Sequence, residues 1–258
     1  MPRRFCRLLL GVLLLSASGV LRAPSAEAEP RVALVIGNSA YQSLPSLRNP
    51  VNDARVMDEA LSAVGFEVTR LENATKAQIE AGLSKLTKPR ETWAVGLVYY
   101  SGHGIQMNGR NYLLPVDAKI DTATSVGTEG VSVDDVIDQM TRKKFRINII
   151  ILDACRDNPF VSPNRSVGSP FRDISGGLAL IEAPANTVIA FSTAPGKVAA
   201  DGGGENGLYT AELIRSIGIP RASIETVFKE TRLRVIARSG GTQMPWESLS
   251  LTEDFSFR

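Results

Sequence analysis

The chain has 258 residues, of which 43% are hydrophobic and 22% charged, enough apolar matter for one sizeable core and too much for wholesale disorder. One histidine and two cysteines exclude zinc fingers, iron–sulfur centres and multi-disulfide scaffolds, which would lack ligands or partners. The formal charge of +2 is small, and its source lies at the amino terminus.

There, Arg3, Arg4 and Arg7 precede a leucine-rich run from Leu8 to Leu15, followed by small residues and Ala26-Glu27-Ala28. That order of basic, apolar and A-x-A segments predicts a secretory signal over 1–28 and a single domain over 29–258. The expected location is exported, periplasmic or secreted. An uncleaved anchor is the alternative, but the run is shorter than the roughly 20 residues a spanning helix needs. No later segment is long and apolar enough to span, so the mature chain is expected to have no membrane span. Loss of residues 1–28 leaves 25 basic and 26 acidic side chains, a net charge of −1, and gives no electrostatic footprint for nucleic acid. Cys6 leaves with the signal, so Cys155 becomes the one thiol of the mature chain.

Val32 to Gly37 (VALVIG) is a continuous β-branched run ended by glycine, the pattern of a strand buried on both faces. Val51 to Val64 has helical spacing, Phe66 to Leu71 alternates like a more peripheral strand, and Lys76 to Thr87 is helical again. Val95 to Tyr100, Ile147 to Leu152 and Thr187 to Ser192 repeat the buried-strand pattern. Helical spacing returns at Ser132 to Lys144, Leu208 to Ile217 and Ile224 to Arg238. This alternation predicts an α/β fold, a mostly parallel sheet with helices on both faces. Residues 159–177 and 200–207 read as flexible loops rich in Pro, Ser and Gly. The Gly202-Gly203-Gly204 run lacks the G-K-[ST] of a phosphate loop.

In such a sheet, ligands bind beyond the carboxyl ends of the strands. His103 follows Val95–Tyr100 and Cys155 follows Ile147–Leu152, so the chain's sole imidazole and its mature thiol both fall just past buried strands. A thiol of ordinary pKa, ~8.5, is only slightly ionised at neutral pH, so a neighbouring imidazole would activate it as a nucleophile. The glycines beside His103 permit tight turns and close approach of a substrate backbone, and the backbone N–H groups of Gly104 and Cys155 could form an oxyanion hole. A small buried hydrophobe for Cys155 and a turn-capping role for His103 are the plainer alternatives.

Three motifs carry a family resemblance. SGHG at 101–104, DAC at 153–155 and FSTAPG at 191–196 resemble the His strand, the Cys strand and the following segment of caspase-like cysteine peptidases. The stretch ALVIGNSAYQSLPSLRNPVNDA (33–54) is similar to the opening of metacaspases and bacterial caspase homologues, and the likeness runs to about Gln243-Met244-Pro245-Trp246. His103 lies 52 residues before Cys155, in line with caspase spacing. The resemblance implies a caspase-like sandwich and a His103–Cys155 catalytic pair. It also implies a substrate pocket built from Asp53, Ser101 and Asp153. Caspases carry Q-A-C-[RQG]-G; here Asp153 stands for the glutamine and Asp157 for the final glycine. Where caspases place an arginine five residues after the glycine of the third motif, this chain has Asp201. Two carboxylates favour Arg or Lys before the cleaved bond and repel Asp. The substrate expected is therefore a protein or peptide with a basic residue at the cleavage site. As an isolated residue, Asp53 would also suit the first turn of a helix.

Asp117, Asp134 and Asp135 resemble part of the calcium cluster of some metacaspases, although Ser132 and Asp135 also satisfy a capping box. No cofactor is required by this reading, and calcium is the candidate to test. Arg165 and Arg172, in the first loop, are candidate self-processing positions. The expected activity is that of an exported cysteine endopeptidase. A non-catalytic caspase-like module that binds peptides or partners is the main alternative, and a redox-sensing thiol is the third.

Overall fold

The four continuous apolar runs become adjacent strands because each must bury both faces. The computed structural model describes residues 29–88, 94–143, 145–155, 174–175, 177–194 and 204–258. In chain order the elements are β1 (Arg31–Gly37), α1 (Pro50–Ala63), β2 (Phe66–Glu72), α2 (Lys76–Leu86), β3 (Val95–Met107) and β4 (Arg110–Leu113). They continue with α3 (Ala123–Glu129), β5 (Val131–Ser132), α4 (Val133–Arg142), β6 (Ile147–Cys155) and β7 (Ile174–Ser175). The last are β8 (Thr187–Phe191), α5 (Leu208–Ile217), α6 (Ile224–Arg238) and β9 (Trp246–Ser250).

The main sheet has the order β2-β1-β3-β6-β8-β9, parallel throughout except for β9. Beyond the end of β1, β3 continues into a small antiparallel extension with β4 and β7, and β4 also pairs with β5. Alternate residues of β3 serve opposite faces. Val95, Leu97 and Tyr99 join α1, α5 and α6 in one core, whereas Val98 and Tyr100 join α2 and α4 in the other. The expected α/β layering is therefore the observed one, and the alternating run at Phe66 forms the sheet edge β2.

The structure departs from the sequence expectations at several points, among them the unanticipated α3, β4 and β5. β3 does not stop at Tyr100 but continues through the SGHG motif to Met107, so His103 lies within a strand rather than beyond one. Cys155 is likewise the last residue of β6. Ile174 and Ser175, expected in a loop, pair with Met107 and Gln106. Finally, β9 closes the sheet antiparallel to β8, where no strand was anticipated because its residues are half-buried or exposed. The expected signal at 1–28, together with Asp157, Arg165, Arg172, Asp201, Gly202 and Gly203, lies outside the described residues. Among the described residues no helix is long and apolar enough to cross a membrane.

Candidate active site

Register alone brings the two chemistry-bearing residues together. β3 and β6 begin in phase at Val95 and Ile147, and eight residues later His103 stands opposite Cys155. Neighbouring strands in a sheet run roughly 4.8 Å apart, which sets the backbone separation of the two. The same register places Ser101 opposite Asp153, one alternation earlier.

His103 is 3% exposed. Its Nε2 lies 2.8 Å from the Pro45 carbonyl oxygen. A carbonyl can only accept, so Nε2 carries a proton, and in the neutral form of the ring the lone pair is then on Nδ1. The Tyr41 ring packs at 4.5 Å, tilted by 52°. Pro45 and Tyr41 belong to the loop after β1, which is pinned at several points. Asn38 donates from its side chain to the Leu114 carbonyl, Ser39 and Ala40 donate to Asn73 Oδ1, and Gln42 donates to the Val116 carbonyl.

The glycines of SGHG are required by close packing, which corrects the expectation of tight turns. A Cβ on Gly102 would lie 2.6 Å from the hydroxyls of both Tyr41 and Tyr100, and one on Gly104 would lie 2.9 Å from Ala154 Cβ. Gly104 pairs with Leu113 while the Leu114 N–H donates to the His103 carbonyl. In antiparallel pairing this makes Gly104 and Leu113 a non-hydrogen-bonded pair, so the Gly104 N–H faces away from β4, toward the β6 edge.

The acid wall is assembled from three parts of the chain. Gly37 permits α1 to seat against β1, since a Cβ there would lie 2.2 Å from the Pro50 carbonyl oxygen. This seating turns Asp53, in the first turn of α1, inward, where it is 2% exposed. Its Oδ1 accepts from the Gly207 N–H at 2.9 Å and from Asn206 Nδ2 at 3.1 Å, and its Oδ2 from Ser101 Oγ at 3.2 Å. Asp153, 7% exposed, accepts from Thr210 Oγ1 at 2.7 Å. Both carboxylates face Gly207, whose added Cβ would lie 3.1 Å from Asp53 Oδ2 and 3.3 Å from Asp153 Oδ2. Burial, reinforced by the charge of Asp153, pushes the Asp53 carboxyl up to about 7 against the opposing pull of its three donors. Burial and the same two acids hold the Tyr99 hydroxyl well above its ordinary range. Asp53 is thus more than a helix-terminal acid. Residues 204–207, read from sequence as part of a loop, are tied to α1 through Asp53 and through Asn52 Nδ2, which donates to the Glu205 carbonyl.

The calcium candidates go elsewhere. Asp117 Oδ1 accepts from the Lys76 N–H at the start of α2. Asp134 pairs with Arg110 at 2.9 Å, and Asp135 lies 3.7 Å from the same guanidinium. Ser132 Oγ accepts from the Asp135 N–H, the capping half of its expected role. Among the described residues no three His, Cys, Asp or Glu side chains converge as a metal site.

Sequence reasoning missed the Pro45 carbonyl, Tyr41, Thr210, Asn206 and Gly207. Backbone groups leave no mark on residue type, and the other partners lie 57 or more residues from the groups they hold, with only the stretch 33–54 hinting at Tyr41.

A family model described as the caspase domain matches residues 30–256. The chain is also 26% identical over 169 residues to the Homo sapiens "Mucosa-associated lymphoid tissue lymphoma translocation protein 1" and to its Mus musculus homolog. Those alignments cover 66% of this chain but 19% of each relative, so the chain matches about a fifth of the length of these curated proteins.

Proposed function

The chain belongs to the caspase-domain peptidase family, and from that premise we propose that it is an exported cysteine endopeptidase cleaving after arginine or lysine. The observation that carries this reading is the β3–β6 register. It sets His103 opposite Cys155 and, two residues earlier on the same strands, Ser101 opposite Asp153. A nucleophile, a base and an acidic wall then share one end of the sheet, where α/β folds bind their ligands.

The chemistry proceeds by acyl transfer. His103 Nδ1 takes the Cys155 proton, and the thiolate attacks the scissile carbonyl. The backbone N–H groups of Gly104 and Cys155 stabilise the oxyanion, and the Nε2–H to Pro45 bond holds the imidazolium in place. The imidazolium returns its proton to the leaving amine, and water, activated by the same nitrogen, releases the acyl group from the sulfur. Asp53 and Asp153 receive the basic side chain on the acyl side, where its positive charge relieves their mutual repulsion. Export rests on the basic, apolar and A-x-A order of residues 1–28. Catalysis without a cofactor is part of the proposal, because every step above uses side chains and backbone of this chain.

The test is to incubate the purified protein with matched peptides carrying Arg, Lys or Asp at the cleavage position, with and without calcium. Arg and Lys peptides should be cleaved without calcium, and Cys155→Ala or His103→Ala should lower kcat by roughly 1,000-fold or more. Turnover of the Asp peptide alone would overturn the pocket assignment. No turnover under any condition would instead favour a peptide-binding module.

A further inference from the structure

His103 is gripped by its backbone as well as by its ring. Its N–H donates to Tyr41 Oη at 2.8 Å, and its carbonyl accepts from Tyr100 Oη at 2.8 Å. The two hydroxyls lie 3.2 Å apart. Proton counting constrains this cycle. The Tyr100 hydroxyl has one proton and faces the His103 and Leu114 carbonyls, at 2.8 and 2.9 Å, which can only accept. Its proton is therefore committed there, so in its contact with Tyr41 it can only accept. The contacts run from the His103 N–H through Tyr41 and Tyr100 back to the His103 carbonyl. Each bond polarises the next, which strengthens a buried network of this kind. Both hydroxyls occupy the space that a side chain on Gly102 would fill.

We propose that Tyr41 and Tyr100 form a hydroxyl clamp that fixes the His103 backbone, with Tyr41 the dominant positioning residue for its imidazole. The assignment rests on the peptidase reading above. Tyr41 dominates for two reasons. It alone of the pair also packs on the imidazole. The His103 carbonyl, by contrast, keeps the Leu114 N–H as a donor if Tyr100 loses its hydroxyl. Without the clamp, the backbone of a strand position flanked by two glycines gains freedom, and the Nδ1 approach to Cys155 loosens. Small misplacements of this kind act on the rate of the chemical step rather than on substrate binding. The acid wall, held by Gly207, Asn206, Ser101 and Thr210, is built from other residues.

Because His103 is the chain's single histidine, its ring signals in an NMR titration need no assignment. The test compares wild type, Tyr41→Phe and Tyr100→Phe in the full chain, measuring kcat and KM on a basic peptide and the His103 titration. Tyr41→Phe should lower kcat by about tenfold or more with KM within about twofold, and should shift or broaden the His103 titration. Tyr100→Phe should lower kcat by about threefold. Retention of kcat within twofold in Tyr41→Phe would overturn the clamp. If wild type cleaves no peptide, the peptidase reading fails and the clamp is judged on the titration: a changed midpoint or line width upholds it, and an unchanged one overturns it. Should Tyr41→Phe not fold, Tyr100→Phe decides by the same criterion.

Discussion

Asp53 and Asp153 lie buried at the carboxyl end of the sheet, whereas Asp134 and Asp135 stand in the first turn of α4 beside Arg110. Both pairs hold two carboxylates within reach of a common point, yet their chemistry differs. Asp134 and Asp135 are 40% and 67% exposed, so water and the Arg110 guanidinium screen their charges. The described hydrogen-bond partners of Asp53 are all neutral, and its neighbour Asp153 adds a like charge. Burial and like charge therefore make ionisation costly at Asp53, while the exposed pair is screened by solvent and by a guanidinium. Acidity in a sequence does not tell the two pairs apart; burial and the groups around each carboxylate do.

Substitution of the buried pair should have the largest effect. Asp153→Asn or Asp53→Asn is expected to lower kcat/KM for Arg and Lys peptides on the order of 100-fold, since each leaves a bound cation half-paired in a desolvated site. Steady-state kinetics on matched peptides checks this, and loss confined to kcat with KM unchanged would dissolve the distinction between the pairs.

Protonation gives the second way to sharpen it. Native Asp53 keeps its proton to about 7, whereas the unfolded chain releases it near the ordinary 3.8. The native state binds more protons across that window, so the contribution of this group to stability falls as pH rises from about 4 to 7 and then levels off. Cation binding has the opposite sign, because it needs the ionised acid. The inhibition constant of a small guanidine such as agmatine should weaken below pH 7 by up to roughly tenfold per unit, a dependence that Asp53→Asn should flatten. Melting curves and inhibition constants measured from pH 4 to 8 would register both trends.

The smallest effect is expected in the exposed pair. Asp134→Asn removes one partner of a solvent-screened ion pair and should change stability by about 0.5 kcal/mol or less, with peptide cleavage unchanged. Chemical denaturation measures it, and a loss comparable to that at Asp53 would erase the comparison altogether.

Sequence by itself determined the layered α/β architecture, because a strand buried on both faces must be apolar throughout and an amphipathic helix must repeat every three or four residues. It also singled out His103 and Cys155 by scarcity, and Asp53 and Asp153 through family motifs. The strands β4, β5 and β7 escaped it because two to four residues are too few to show a period, and β9 because its residues are half-buried or exposed. Only tertiary structure decided the rest. The pairing of His103 with Cys155 follows from where β3 and β6 begin, and the grip of Tyr41, Tyr100 and Pro45 on His103 depends on hydroxyls and a carbonyl brought in across the fold. Strand register and long-range hydrogen bonds are properties of neighbours in space, and no local run of residues encodes which neighbours those will be.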